Sequence, residues 1–421
     1  MKRLFFLCGA AILAVACSDN TPKSVEILNE SITLSAPANA LSMTLSRGTF
    51  TFSNITTGVE TALSYPVPAG TRLSEGLYNV TFSGEGVLEV SLSQTKNPAA
   101  AATEQITATL QGVANNVTVT SAGTFFLVLS LSVVPEPGQG FVISELYYVG
   151  SAYAPDASGK QQQYNGDAYV KITNNSDSVL YADGLAFVES EFLTSTKQDY
   201  TPMIRDEAIT ADAIFVIPGS GRDYPVQPGE SIVLCDNAQN HKEADESFMD
   251  LSKADFEWFT HSTSSSYPDI DNPDVPNLEI YYCYTATIFV MNKQGTKAYA
   301  LVRMPEGMTK ESYLNRYTYE AYYTNILGKP TTPRTYYKIP NEWVVDAVEL
   351  RGCRYEFAWP VFDPSFDIGY TYCGDLNAGS IEYGRAIRRK VVSATESGLP
   401  IYRDTNNSTE DFDRNVIPSM Q

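Results

Sequence analysis

The chain predicts a mainly β protein made of two sandwiches in series. Three observations carry that expectation: alternating apolar and polar runs through the first third, a Pro/Gly interruption at Pro135, Pro137, Gly138 and Gly140, and a change of texture beyond it towards Tyr and Asp. The 421 residues suffice for two or three domains, and a hydrophobic fraction of 43% supports large cores. A formal net charge of −20 repels nucleic acid and anionic lipid, so a nucleic-acid role would need a local basic patch to overcome the field, and no nucleic-acid partner is expected.

At the N-terminus Lys2 and Arg3 precede an apolar run from Leu4 to Ala16, and Ala14, Val15 and Ala16 lead into Cys17. The run is too short to cross a bilayer as a helix and has the layout of a cleaved export signal. It resembles a bacterial lipoprotein signal. That resemblance implies removal of residues 1–16, lipidation of Cys17, a tether over residues 17–23 and an anchor in the outer membrane. Ser18, Asp19 and Asn20 resemble the short acidic tag of lipoproteins displayed on the surface of Bacteroidetes, which implies a position facing the cell exterior.

Residues 24–134 read as the first sandwich. Thr49-Phe50-Thr51-Phe52 and Leu88-Glu89-Val90-Ser91-Leu92 alternate with period two between turn residues, the pattern of half-buried antiparallel strands. Gly70 to Phe82, with a Gly-x-Tyr strand after a Pro-Ala-Gly turn, resembles prealbumin-like and carboxypeptidase-regulatory-like sandwiches, and any Ig-like sandwich would suit it as well. Asn97 to Ala102 reads as a loop, being too short to nucleate a helix. Residues 135–140 form the linker.

Residues 141–392 read as a second, larger sandwich, followed by a tail over 393–421. Phe141 to Tyr148 and Asp167 to Ile172 are strands, the latter running through Asn174-Asn175-Ser176-Asp177 into Leu180 to Phe187. With Gln227 to Leu234, Val345 to Glu349 and Tyr383 to Arg389, these segments fall in lamin-tail-domain order. Together with Cys235 to Glu257 and Asp269 to Leu278, the chain resembles the DUF4876 family of Bacteroidetes lipoproteins. The resemblance implies an elaborated lamin-tail-like, Ig-like β-sandwich with long insertions containing short helices. Those insertions, near Ser151–Gly166, Glu189–Tyr224, Asp236–Asn277 and Pro305–Asn341, are the first places to seek a site.

Candidate chemistry is sparse. No nucleophile elbow, zinc-protease helix or phosphate-binding glycine loop appears, and the only histidines, His241 and His261, are expected to be exposed and inert. Asp269, Asp271, Asn272 and Asp274 offer a hard-oxygen set that calcium would accept, although Pro273 and Ile280 occupy positions an EF-hand needs for ligands. The plainer reading is a proline-stiffened acidic loop that binds nothing. No other cofactor is expected. Cys235, Cys283, Cys353 and Cys373 allow up to two disulfides in any of three connectivities, or buried free thiols. The basic run Arg385, Arg388, Arg389 and Lys390 reads as an ion-paired strand end.

Tyrosine is the anomaly, at 27 residues. A helix over Glu311 to Leu327 would place Tyr319, Tyr322 and Tyr323 on one side and Tyr313 and Tyr317 on another. These rings either pack the insertion onto the sandwich or form a recognition face. Trp258, Trp343 and Trp359 read as packing. Asp177-Ser178-Val179 resembles the Bacteroidetes O-glycosylation site, which makes Ser178 a candidate acceptor.

These observations point to a non-enzymatic surface lipoprotein that binds a ligand or partner. The family resemblance implies an accessory to a TonB-dependent outer-membrane transporter. An adhesion or structural module that binds glycan or matrix is the alternative, and a secreted hydrolase the third reading.

Overall fold

Alternation in the first third becomes three long strands, Ala40–Asn54, Gly76–Ser91 and Thr103–Val119, in the computed structural model of the chain. The structure describes residues 23–37, 40–91, 103–134, 140–285, 287–325 and 327–421. The leader, Cys17, the Asn97–Ala102 segment and residues 135–139 of the linker lie outside these. The long strands are the centre of a five-stranded antiparallel sheet edged by Glu60–Tyr65 and Ser132–Val133. Phe50 pairs with Phe82 across it, their rings 4.9 Å apart. Room for the Phe82 ring comes from Gly84, where a Cβ would meet that ring at 2.7 Å and Arg47 O at 2.6 Å.

Against this face pack Leu127 and Leu129 of Leu127–Ser130, which pairs in parallel with Ile32–Ser35. Burial in Leu127–Ser130 alternates strictly, as the period-two reading requires.

The second unit is also a two-sheet sandwich. Its smaller sheet has the order Phe256–Glu257, Ser231–Cys235, Tyr169–Asn174, Phe141–Tyr147, Ala386–Arg389 and Phe412–Val416. The larger runs through Ala208–Val216, Leu185–Ser190 and Ala298–Arg303 to Val344–Glu349 at its edge. Leu146, Val170, Ile172 and Leu234 of the first sheet meet Phe187, Phe215, Leu301 and Val348 of the second. All nine residues of Ala208–Val216 are buried, because a second apolar layer covers the outer face of this sheet. That layer includes Tyr313 from the Pro305–Asn341 insertion, Trp343 from the turn just before Val344–Glu349, and Trp359 and Phe362 from the segment after it.

Two expectations are corrected. The helix foreseen over Glu311 to Leu327 stops early: Lys310–Arg316 is helical, and Thr318–Tyr323 is a strand paired with Arg334–Pro340. The run Thr318-Tyr-Glu-Ala-Tyr-Tyr is rich in aromatic and β-branched residues and has a partner strand available, so strand pairing overrides helical spacing. The stretch 393–421 is not a free tail, since Phe412–Val416 closes the smaller sheet with Arg389 opposite Phe412.

Candidate functional site

Loops of the second sandwich enclose a groove of about 750 Å³. The insertion between Phe141–Tyr147 and Tyr169–Asn174 supplies Gln161, Gln163 and Asn165, held as a hairpin by the Ala152 to Gln163 bridge. The short hairpin Thr263–Ser264/Tyr267–Pro268 supplies Tyr267. Its anchor is Asn237, whose Oδ1 accepts from Ile270 N at 2.7 Å, while Asn165 Nδ2 donates to Ser266 O at 3.0 Å. The turn at Asn292–Gly295 supplies Lys293 and Gln294, with Asn292 Oδ1 accepting from Thr296 N at 3.1 Å.

The far wall is the loop 353–355 together with 380–383. Arg354 Nε donates to Gly379 O at 2.8 Å, Tyr355 hydroxyl donates to Gln294 Oε1 at 3.2 Å, and the Gln163 amide donates to the Tyr383 hydroxyl. The groove is thus bridged from wall to wall by side-chain contacts rather than left open.

Tyrosine distribution gives the groove its character. Of the 27 tyrosines, the three that are exposed, Tyr267 (40%), Tyr284 (48%) and Tyr355 (41%), all line it. Each offers a ring and a hydroxyl together. In a chain with 49 acidic residues, the groove lining contains no carboxylate and no histidine, but has Lys293 and Arg354.

Beneath Tyr267 lies a separate void of about 10 Å³ between Asp236, Asp269, Thr260 and Asn165, room for about one water. Burial, and then the neighbouring Asp269, push the Asp236 carboxyl up to about 8. Asp167 is raised by burial, and Lys293, whose burial opposes the charged ammonium, is lowered despite Asp167 and Asp236 nearby. The void is too small for a substrate, so these carboxylates support the groove from below.

The residues singled out from the sequence are placed differently. Tyr313 is fully buried, stacked on Tyr317 at 5.5 Å, and Tyr317 meets Trp343 at 4.7 Å. Tyr319 shares a hydrogen bond of 2.7 Å with Thr210, and Tyr322 and Tyr323 are half-buried opposite Tyr200–Thr201. These five rings pack the insertion onto the sandwich and do not form a recognition face. Asp269, Asp271 and Asp274 do not converge: Asp269 turns inward to accept from Thr260 Oγ1 at 2.8 Å, Asp271 turns outward to Asn277 Nδ2 at 2.9 Å, and no metal-holding group of three appears among the described residues. The three carboxylates therefore do not form the converging oxygen set that the calcium alternative needs. His241 is buried, not exposed, with Nδ1 at 2.9 Å from Tyr164 hydroxyl and Nε2 at 2.9 Å from Asn237 O, and burial lowers its pKa.

Cys235, Cys283, Cys353 and Cys373 are all free thiols, which answers the disulfide question in favour of its alternative. Cys353 and Cys373 are neighbours, Cys353 Sγ donating to Cys373 O at 3.1 Å, whereas Cys235 and Cys283 sit on different sheets. The three tryptophans are buried, as expected. Ser178 lies exposed at its turn.

The groove uses two of the four insertions named from the sequence. Tyr284, Tyr355 and Tyr383 were not foreseen. The amide run Gln161-Gln162-Gln163-Tyr164-Asn165 was the available signal.

Residues 227–419 match the family described as "Protein of unknown function (DUF4876)". The crystal structure of a DUF4876 family protein from Bacteroides thetaiotaomicron VPI-5482, at 2.50 Å resolution, is similar at 24% identity and a TM-score of 0.53, over 95% of this chain and 96% of that one. At that identity the likeness speaks to the fold. No curated protein matches.

Proposed function

With residues 227–419 matching the DUF4876 family as its premise, we propose that the protein is a non-enzymatic lipoprotein that captures a ligand in its tyrosine-rimmed groove. The observation that carries this reading is the gathering of all three exposed tyrosines around one polar cavity whose lining holds no carboxylate or histidine to serve as a general base. The leader and Cys17 support attachment at the outer membrane, facing the exterior, and the family resemblance supports service to a TonB-dependent transporter. A concave groove suits a soluble ligand better than adhesion to a flat matrix. A hydrolase reading would draw on Asp236 and Asp269, but their void admits about one water and no substrate.

The test is to express the full chain with its leader in a Gram-negative host, label it with an alkyne fatty acid and probe intact cells with protease. Acylation that disappears in Cys17→Ala, surface cleavage and co-purification of an outer-membrane transporter are expected. An unacylated protein retaining residues 1–16 would sink the reading.

A further inference from the structure

We infer that the groove takes a short oligosaccharide, an inference that rests on the capture reading and names its ligand class. Sugars combine hydroxyls that both donate and accept with apolar C–H faces. A matching site therefore needs flat rings for the faces and planar groups with donor and acceptor side by side for the hydroxyls.

The groove has both. Tyr267, Tyr284 and Tyr355 offer exposed rings from three different segments of the chain. Gln161, Gln163, Asn165, Asn292 and Gln294 bring five side-chain amides; Gln163 and Asn165 each spend one N–H within the walls, and Asn292 and Gln294 accept there through their carbonyls, which leaves an N–H donor on every one of them. Arg354 commits only Nε, to Gly379 O, which leaves the ends of its guanidinium fork for a pair of hydroxyls or a sugar carboxylate. At about 750 Å³ the cavity lies within the range of roughly 300–1,000 Å³ that encloses a small ligand.

Other ligand classes fit less well. A peptide laid along a sheet would need a free strand edge, and the groove is walled by loops and turns. A flat tetrapyrrole would need an apolar slot, and the lining is mainly polar. A polyphosphate would need several cations where only Lys293 and Arg354 line the cavity, and Lys293 Nζ is committed to Tyr164 O.

The experiment is isothermal titration of the purified full chain with defined oligosaccharides of glucose, mannose, xylose, N-acetylglucosamine and galacturonic acid. Binding of at least one is expected, weakened by about fivefold to tenfold in Tyr284→Ala and in Tyr355→Ala with the circular dichroism spectrum unchanged. Arg354→Gln separates the two sugar types, costing the acidic oligomer more than a neutral one. No heat with any sugar overturns the inference, as does binding indifferent to both tyrosine variants. Uptake of a peptide or haem in place of every sugar would also overturn it and leave the capture reading standing. Cleavage of a bound sugar would uphold the ligand class and sink the non-catalytic reading.

Discussion

Tyr355 donates its hydroxyl to Gln294 Oε1 at 3.2 Å, and this one bond joins the loop after Val344–Glu349 to the turn before Ala298–Arg303. The two segments approach closely because Gly352 stands between them. A Cβ there would fall 2.6 Å from Gln294 O and 2.8 Å from the Tyr355 ring.

Gly352→Ala is therefore expected to destabilise by about 1–3 kcal/mol, since a backbone oxygen cannot swing away as a side-chain tip can. Removing the exposed Tyr355 ring instead should change stability by less than about 0.5 kcal/mol. Urea unfolding of the two variants checks the contrast, and equal losses would refute the steric argument.

Asp236 gives a pH dependence with a definite sign. Burial raises its folded-state pKa from 3.8 to about 8, so the stability it contributes is full below about pH 3.8, declines above it and is gone once pH passes about 8. At about 1.4 kcal/mol per pKa unit, the loss amounts to a few kcal/mol. Asp236→Asn cannot ionise, so its melting temperature should fall less than the wild type's between about pH 5 and 9. Parallel pH profiles would show that Asp236 does not titrate in this range.

Arg389 is expected to be the most sensitive position of the second sandwich. Its guanidinium is buried and reaches Asp346 at 2.6 Å, Asp411 at 3.2 Å and Asp404 at 3.3 Å, and it donates to Ile143 O at 3.0 Å. Arg389→Met would leave buried Asp346 and Asp404 without their cation and Asp411 with Arg403 alone, at 3.3 Å, and should cost about 3–5 kcal/mol, read by denaturant unfolding. A loss under about 1 kcal/mol would mean that the cluster is satisfied without it.

Thiol chemistry checks the cysteine assignment. Alkylation of the mature protein in denaturant without reductant should modify Cys235, Cys283, Cys353 and Cys373, while in the folded state buried Cys235 should react slowest. A Cys353–Cys373 cross-link found by peptide mapping would contradict the free state of both.

The β class and the strands around Phe141, Asp167 and Ala386 were legible because alternation and apolar runs are local signals. The Tyr319–Tyr323 segment was misread because helical spacing and strand propensity coincide there, and only its pairing with Arg334–Pro340 decides between them. The groove was half legible. Its amides cluster in sequence, but Tyr267, Tyr284 and Tyr355 are brought together from across 89 positions by loops. The same holds for Asp269, whose neighbours in sequence suggested a cation site and whose neighbours in space are Thr260 and Asp236.

The smaller sheet of the second sandwich seats Phe141–Tyr147 beside Ala386–Arg389, with Phe412–Val416 as the outermost strand. Its earliest strand must wait for partners about 240 to 270 residues further along, so the sheet reaches its final form only once Phe412–Val416 has been delivered to the compartment where it folds. Loss of Phe412–Val416 would then leave Ala386–Arg389 as an unpaired sheet edge.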